Sequence, residues 1–221
     1  MSSSRLPGKA LSEIMKKPIL SYMIERIKPS KLVDEWVIAT SADSSDDAIS
    51  AWCQKEQILC YRGSLHDVLD RYYQCVDSLN WKPETIVRLT ADCPLHYHEV
   101  IDFVIREYQK KKCDYFTNSL PDNLEDGFDV EVFSYNALKR AWQRRKSNLE
   151  KEHVTWLMKN DPSFSVAFKK YRSDYHLKLS VDTSEDLNLI SSIFENLYPQ
   201  NPKFTIDDIV RFLGERVKVK R

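Results

Sequence analysis

The chain has 221 residues, of which 42% are hydrophobic and 30% are charged, a balance typical of one globular α/β domain. Its 33 basic and 33 acidic side chains cancel, which disfavours a nucleic-acid polymer as a partner because such proteins usually carry a basic face. No apolar run reaches the length of a membrane span. We therefore expect no membrane partner. The five cysteines include no C-x-x-C pair, so we expect a cytoplasmic protein with reduced thiols.

Hydrophobic periodicity predicts helices and strands that alternate along the chain. The predicted helices cover about residues 18–28, 44–57, 65–79, 99–111, 134–145, 150–159, 184–197 and 205–213. The predicted strands cover about residues 35–40, 58–61, 85–89, 114–117, 128–133, 165–170 and 177–181. This alternation predicts a mainly parallel sheet with helices on both faces. We expect a single domain over residues 1–221, with residues 134–175 as a candidate substrate or dimerisation subregion.

Carboxylates follow two of the predicted strands at the point where each strand ends. Asp92 comes after the strand that ends near residue 89, and Asp182 comes directly after the strand over 177–181. Ligands of open α/β sheets bind beyond the carboxyl ends of the strands. We therefore expect both side chains at a functional site, where together they suit a divalent cation. For Asp92 the sequence supports an alternative equally well, in which its side chain caps the N-terminus of the following helix.

A cradle for phosphate oxygens is one interpretation of residues 2–9, which combine three serines and a glycine with Arg5 and Lys9. Backbone N–H groups and hydroxyls can face oxyanions there, while the two cations neutralise them. The pattern of a Walker A loop is absent, and this stretch alone favours a polar N-terminal tail. In either case Lys9 is expected to be an exposed loop cation.

Two further carboxylates alternate with apolar side chains over residues 128–133. Asp129 and Glu131 therefore point to one face of a predicted strand. They suit a cation or a polar substrate, and the solvated face of an edge strand is the alternative. Among the histidines, His153 stands out because a basic stretch precedes it, but no Ser-His-Asp or Cys-His arrangement can be assembled.

Six stretches that run in order through almost the whole chain resemble the cytidylyltransferase superfamily, whose members make CMP-activated sugar acids. The spore-coat polysaccharide branch of that superfamily looks most similar. The matching stretches are residues 1–11, 62–64 with 67–73, 88–94, 126–133, 152–155, and 181–183 with 185–187. Each stretch alone is a weak signal, whereas six in family order are specific.

The resemblance implies a Rossmann-like sheet of the nucleotide-diphospho-sugar transferase type. It also implies a reaction in which a sugar hydroxyl attacks the α-phosphate of CTP with the help of Mg²⁺. The expected partners are CTP and a sugar acid, and a homodimer is a candidate assembly. Carried over residue by residue, the resemblance implies that the nucleotide is contacted by Ser2, Ser3, Arg5, Lys9, Gly63, Arg71 and Arg88. It implies magnesium ligation for Asp92 and Asp182, and sugar contacts for Asp129, Glu131 and His153. The catalytic roles would belong to Arg5, Lys9 and Asp92.

One departure from the family concerns the start of the sheet. Family members carry an apolar strand ending in Gln-Ala-Arg just before the stretch that matches residues 1–5. We therefore expect a sheet that lacks its first strand, in a truncated or mis-started chain. Other interpretations remain: guanylyl or other nucleotidyl transfer to a sugar phosphate, a non-catalytic homologue, or a glycosyltransferase, although the Asp-x-Asp motif of that class is absent.

Overall fold

The computed structural model describes residues 6–80, 82–119, 127–171 and 177–219, with side chains described as far as residue 214. Its helices are α1 (Ile19–Ile27), α2 (Asp47–Lys55), α3 (Val68–Ser78), α4 (His98–Lys111), α5 (Tyr135–Arg144), α6 (Asn148–Glu152), α7 (Trp156–Asn160), α8 (Ser184–Leu197) and α9 (Ile206–Val219). Its strands are β1 (Glu13–Ile14), β2 (Lys17–Pro18), β3 (Ile38–Ser41), β4 (Cys60–Gly63), β5 (Thr85–Arg88), β6 (Tyr115–Thr117), β7 (Glu131–Ser134) and β8 (Val166–Phe168).

The local sequence explains why the helices begin where they do. Thr183 and Asp186 form a reciprocal capping box at the start of α8, which satisfies backbone N–H groups that have no partner within the helix. Asp67 accepts a hydrogen bond from the backbone of Asp70 at the start of α3. These polar caps fix the helix ends, while an apolar stripe on each helix packs against the strands.

The α/β fold class predicted from the sequence is confirmed, with strands in three sheets. β1 and β2 form a short antiparallel pair, and β3 and β4 form a parallel pair. The largest sheet has the strand order β5-β7-β6-β8, in which β7 runs antiparallel to both neighbours and β6 is parallel to β8. This sheet is therefore mixed, and the segment over 177–181 forms no regular strand.

An open cleft is lined by both β3 and β5. Two adjoining cavities of about 640 and 330 Å³ share five lining residues, namely Trp36, Val37, Val76, Ile86 and Val87. Within the described residues β3 pairs only with β4, and β5 pairs only with β7. Helix α1 lines one part of the cleft through Leu20 and Met23, and α3 lines it through Val68 and Tyr72. In the described part of the chain, β3 and β5 thus line a common apolar space.

None of the helices in the described ranges is long and apolar enough to cross a lipid bilayer.

Candidate active site

Lys9, Asp92 and Asp182 meet in one polar group. The Lys9 ammonium donates hydrogen bonds to Asp92 Oδ2 at 2.7 Å, to the backbone carbonyl of Val181 at 2.9 Å and to Asp182 Oδ1 at 3.1 Å. Asp92 and Asp182 are 83 and 173 positions from Lys9 along the chain. Because both carboxylate oxygens contact one nitrogen atom, they lie close enough together to bind a single small ion.

Short local structures bring these three side chains to the same place. Gly8 adopts a positive φ of 76°, a conformation that glycine adopts without strain, and the 3₁₀ turn Lys9–Leu11 follows it. Asp92 lies in the turn after β5, where the Cys93 amide bonds to the Thr90 carbonyl. The Val181 amide donates to the Asp92 carbonyl at 2.7 Å, so the chain segments that carry the two carboxylates are joined directly.

The electrostatics of the group favour the charged forms of Lys9 and Asp92. Burial alone would raise the pKa of the Asp92 carboxyl, but hydrogen bonds from Lys9 and Thr90 hold that pKa below its usual value. Burial alone would lower the pKa of Lys9, yet the hydrogen bonds and charges of Asp92 and Asp182 raise it. An opposite charge at hydrogen-bond distance favours the charged form of each partner. The Lys9 ammonium and the Asp92 carboxylate therefore form a charged pair at neutral pH.

The backbone beside Asp182 is held by the start of α8. Asp186 accepts hydrogen bonds from the backbone amides of Asp182 and Thr183 and from the Lys178 ammonium. Burial opposes the charged form, but these donors lower the pKa of Asp186 to about 2. Asp186 therefore serves the helix start and fixes the backbone from which the Asp182 side chain extends.

The donor set of this group suits Mg²⁺. That ion binds through one or two carboxylates together with the phosphate oxygens of a substrate, and Asp92 and Asp182 supply two carboxylates at one place. In the parts of the chain that the structure describes, no three His, Cys, Asp or Glu side chains converge as a metal site. A metal here would therefore depend on substrate oxygens and water for its remaining ligands.

Two further cations, Arg71 and Arg88, line the cleft beside Thr90. Arg71 donates from Nη1 to the Ser64 carbonyl at 2.9 Å. A Cβ atom at Gly63 would lie 2.9 Å from the Arg71 side chain, so the glycine makes room for it. The Nε atoms of both arginines are buried and have no hydrogen-bond partner within the described residues. Each of the two guanidinium groups therefore keeps one buried N–H donor without a partner among the described residues.

Glu131 is the acceptor at the centre of a buried polar cluster. Its carboxylate pairs with Arg88 and accepts from the Lys159 ammonium at 2.6 Å. It also accepts from the hydroxyls of Tyr115 and Thr155, each at 2.7 Å. Burial alone would raise the pKa of Glu131, but the charges of Arg88 and Lys159 lower it to about 2. The carboxylate is therefore fully charged and already occupied by four donors.

The remaining predicted site residues lie in different surroundings. Asp129 is half-buried in the extended segment before β7, which begins only at Glu131. His153 is exposed and forms the C-terminal end of α6. Ser2, Ser3 and Arg5 lie outside the described residues. The structure thus groups Lys9 with Asp92 and Asp182 and groups Arg88 with Glu131, while the roles of all these residues stay predictions.

Sequence reasoning did not find the partners of Glu131. Lys159 and Tyr115 are 28 and 16 residues away from it, and they approach only when α7 and β6 pack on β7. Thr155 was part of the matching stretch over 152–155, but nothing in the pattern showed that it is 4% exposed and bonded to a carboxylate. Spacing along a chain carries little information about such long-range pairs.

The chain matches known proteins over almost its whole length. The family model described as cytidylyltransferase matches residues 1–214. The spore coat polysaccharide biosynthesis protein SpsF of Bacillus subtilis is 31% identical over 226 residues, an alignment that covers 97% of this chain and 90% of that protein.

Solved structures show the same fold. A cytidylyltransferase from Leptospira borgpetersenii superposes with a TM-score of 0.88 at 27% identity, covering 99% of this chain and 92% of that chain. A CMP:2-keto-3-deoxy-manno-octonic acid synthetase complexed with CTP superposes with a TM-score of 0.63 at 16% identity, covering 88% of this chain and 94% of that chain. At 16% identity, the similarity to this synthetase supports the fold alone.

Proposed function

The chain belongs to the cytidylyltransferase family, and from that premise we propose that it transfers a cytidylyl group from CTP to a sugar acid. The reaction would release pyrophosphate and supply a CMP-activated sugar for surface-polysaccharide synthesis. A spore coat polysaccharide biosynthesis protein is among its relatives, and the CMP:2-keto-3-deoxy-manno-octonic acid synthetase that shares its fold was solved in complex with CTP. We also propose a cytoplasmic location, which the free cysteines favour, and a homodimer as a candidate assembly.

The observation that carries the proposal is the contact of Lys9 with both Asp92 and Asp182. A triphosphate bears several negative charges, so a site for it needs cations together with a way to hold a metal. An ammonium between two carboxylates supplies both kinds of charge within a few ångströms. The cations Arg71 and Arg88, with unpartnered Nε atoms, lie along the adjoining cleft, where they suit the rest of the nucleotide.

The proposed step is a displacement at phosphorus. A hydroxyl oxygen of the sugar acid forms a bond to the α-phosphorus of CTP, the bond from that phosphorus to the bridging oxygen breaks, and pyrophosphate leaves with the bond's electron pair. The hydroxyl proton passes to solvent. Mg²⁺, held by Asp92 and Asp182, would supply charge neutralisation on the phosphate oxygens. Catalysis then consists mostly of positioning and electrostatic stabilisation.

In this proposal each predicted site residue contacts either the nucleotide, the metal ion or the sugar, or positions a residue that does. Lys9, together with Arg5, holds the triphosphate oxygens; in the free protein Lys9 keeps the two carboxylates together. Gly63 and Arg71 contact the nucleotide, as do Arg88, Ser2 and Ser3. Asp129 and His153 contact the sugar in this proposal. Glu131, expected to face the sugar, instead acts by holding Arg88, because its own oxygens are taken by four donors.

A pyrophosphate-release assay tests the proposal. The protein is incubated with each of the four ribonucleoside triphosphates and with sugar acids, neutral sugars and sugar phosphates, in the presence of Mg²⁺. We expect release only with CTP and a sugar acid, and a CMP-sugar product by mass spectrometry. Release with GTP and a sugar phosphate would favour the guanylyl-transfer alternative. No release with any pair, from the 221-residue chain or from one carrying an apolar strand ahead of residue 1, would contradict the proposal.

A further inference from the structure

Arg26 is a buried cation on α1, with 4% of its surface exposed. Its guanidinium group donates hydrogen bonds to four backbone carbonyl oxygens. Nε reaches His96 at 3.3 Å, Nη2 reaches Leu95 at 3.3 Å and Phe204 at 2.8 Å, and Nη1 reaches Pro202 at 3.1 Å. The group also stacks on the Phe204 ring, 3.9 Å from its centroid. Arg26 therefore joins three segments that are far apart in sequence.

Two of those carbonyl groups belong to the turn that carries Asp92. Leu95 and His96 follow Asp92 by three and four residues, and the turn closes on itself when the His96 amide bonds to the Cys93 carbonyl. The other two carbonyl groups lie in the loop between α8 and α9. Helix α8 begins next to Asp182. Arg26 therefore contacts the turn that carries one candidate metal carboxylate and the loop that follows the helix after the other.

The turn also carries two buried side chains, His96 and Cys93. His96 is fully buried, yet neither of its ring nitrogens has a hydrogen-bond partner within the described residues. Cys93 is also buried, and its Sγ lies 3.6 Å from Asp92 Oδ1, a contact of weak strength. Besides the Lys9 ammonium, which bonds the Asp92 carboxylate itself, the guanidinium of Arg26 is thus a charged donor that reaches the backbone of this turn from another element.

The chemistry of this position favours arginine over lysine. The planar guanidinium offers five N–H donors in a rigid fork, so it can bond several carbonyl groups at once. A lysine ammonium has three donors at one point and is more strongly hydrated. All the hydrogen-bond acceptors of Arg26 within the described residues are backbone oxygens. Such an arrangement fixes backbone positions, whereas an ion pair with a side chain would not.

We propose that Arg26 is a positioning residue for Asp92. Its guanidinium holds the carbonyl groups of Leu95 and His96 and thereby fixes the turn that presents the Asp92 carboxylate to Lys9. The link from this turn to catalysis rests on the proposed function, but the anchoring of the turn does not, and the two can be measured separately.

The cysteines of the chain supply a local measurement that needs no substrate. Cys93 is 2% exposed and adjoins Asp92, while Cys53 and Cys75 are 0% and 2% exposed in other elements. We expect Arg26→Lys to raise the alkylation rate of Cys93 by about tenfold or more, because the turn opens more often once charge-assisted hydrogen bonds are lost. The rates at Cys53 and Cys75 should stay within about twofold of the wild-type rates, since their elements keep their contacts. Peptide mass spectrometry after a pulse of iodoacetamide reads all three sites in one sample.

A variant on the same helix provides the matched control. Tyr22→Phe removes a buried hydrogen bond from α1 to the Ile14 carbonyl without touching the turn, so the alkylation rate of Cys93 should not change. Arg26→Met, which lacks all donors, should expose Cys93 at least as much as Arg26→Lys. The inference is wrong if Cys93 in Arg26→Lys is alkylated at the wild-type rate, or if Cys53, Cys75 and Cys93 all accelerate together, since the latter would show general unfolding.

A second measurement connects the turn to the site. Calorimetric titration of Arg26→Lys with CTP in the presence of Mg²⁺ should give a weaker affinity than the wild type, while Tyr22→Phe binds normally. If Cys93 becomes reactive but the wild type binds no CTP, the anchoring role of Arg26 holds and the proposed function fails. If CTP binds equally well to Arg26→Lys and to the wild type while Cys93 becomes reactive, the turn is anchored but Asp92 needs no positioning, which overturns the inference.

Discussion

The Lys9 ammonium lies 2.7 Å from the Asp92 carboxylate, although the two residues are 83 positions apart in the chain. Their side chains are only 19% and 28% exposed, so the pair is screened by water less than a surface ion pair would be. The same ammonium reaches Asp182. The chain therefore places its candidate phosphate-binding cation and its candidate metal-binding carboxylates in direct contact before any substrate arrives.

Replacing Asp92 tests the metal assignment. We expect Asp92→Asn to lower the turnover number at least about a hundredfold, the scale observed when one preorganised charge-stabilising group is removed. The rate of pyrophosphate release at saturating CTP and Mg²⁺ measures this. Asp47→Asn, which alters a carboxylate that is 63% exposed, serves as the control and should retain wild-type turnover. Near-normal turnover in Asp92→Asn would refute the metal role.

Replacing Lys9 tests the triphosphate contact. Although its loop position predicts an exposed cation, the structure corrects this: Lys9 is partly buried because it is drawn between two carboxylates. We expect Lys9→Ala to weaken CTP binding in calorimetry and also to lower the melting temperature, since the carboxylates lose their counter-charge. Lys82→Ala, at an ammonium that is 65% exposed, is the control. Unchanged CTP affinity in Lys9→Ala would favour a purely structural role for the lysine.

The buried cluster around Glu131 makes a prediction about acid stability. The pKa of Glu131 is lowered from 4.5 to about 2, so its stabilising effect is fully present above about pH 4.5 and is lost as the pH falls towards 2. Glu131→Gln should lower stability at neutral pH by roughly 3–5 kcal/mol, because Arg88 keeps its buried charge without a partner.

Thermal melts between pH 2 and 7 check this behaviour. The melting temperature of the wild type should fall steeply below about pH 4.5, and the Glu131→Gln variant should lose less over the same interval. Glu195→Gln, at an exposed position on α8, should follow the wild-type curve. Parallel curves for Glu131→Gln and the wild type would show that Glu131 does not titrate in this way.

The cleft lined by β3 and β5 predicts that the protein accepts one more strand. Unpaired backbone groups at a buried sheet edge are costly, roughly 1–3 kcal/mol each. We expect an extension of about ten residues of the Val-Ile-Gln-Ala-Arg type, fused ahead of residue 1, to raise both the melting temperature and turnover, because it can pair with both strands. A Gly-Ser extension of equal length is the control. Equal melting temperatures for the two fusions would contradict the prediction, as would a parent chain that already melts above about 50 °C with full turnover.

The sequence predicted the features that depend on neighbouring residues. Helix α8 has the bounds predicted for it, 184–197, because its capping residues, Thr183 and Asp186, and its apolar stripe are all local. The meeting of Asp92 with Asp182 was expected from their positions after predicted strands. The two carboxylates do meet, although the segment before Asp182 forms no regular strand.

Features that depend on long-range pairing were not predictable in the same way. Alternation over 128–133 placed Asp129 and Glu131 on one face, but it could not show that Arg88, 43 residues away, pairs with Glu131. The antiparallel direction of β7 likewise depends on which strands lie beside it. Arg26 continues the buried row of Ile19, Tyr22 and Met23 at helical spacing, a local signal that would have shown it to be buried.

The central claim is that Lys9, Asp92 and Asp182 form a metal-assisted triphosphate site. A measurement of CTP binding tests this claim most directly. Calorimetric titration with CTP should show one saturable site per chain in the presence of Mg²⁺, because the carboxylates and the phosphates share the ion as ligands. The affinity should fall sharply when EDTA replaces Mg²⁺, and it should fall in the same way in the Asp92→Asn and Asp182→Asn variants with Mg²⁺ present. CTP affinity that is indifferent to Mg²⁺ and to both substitutions would contradict the account.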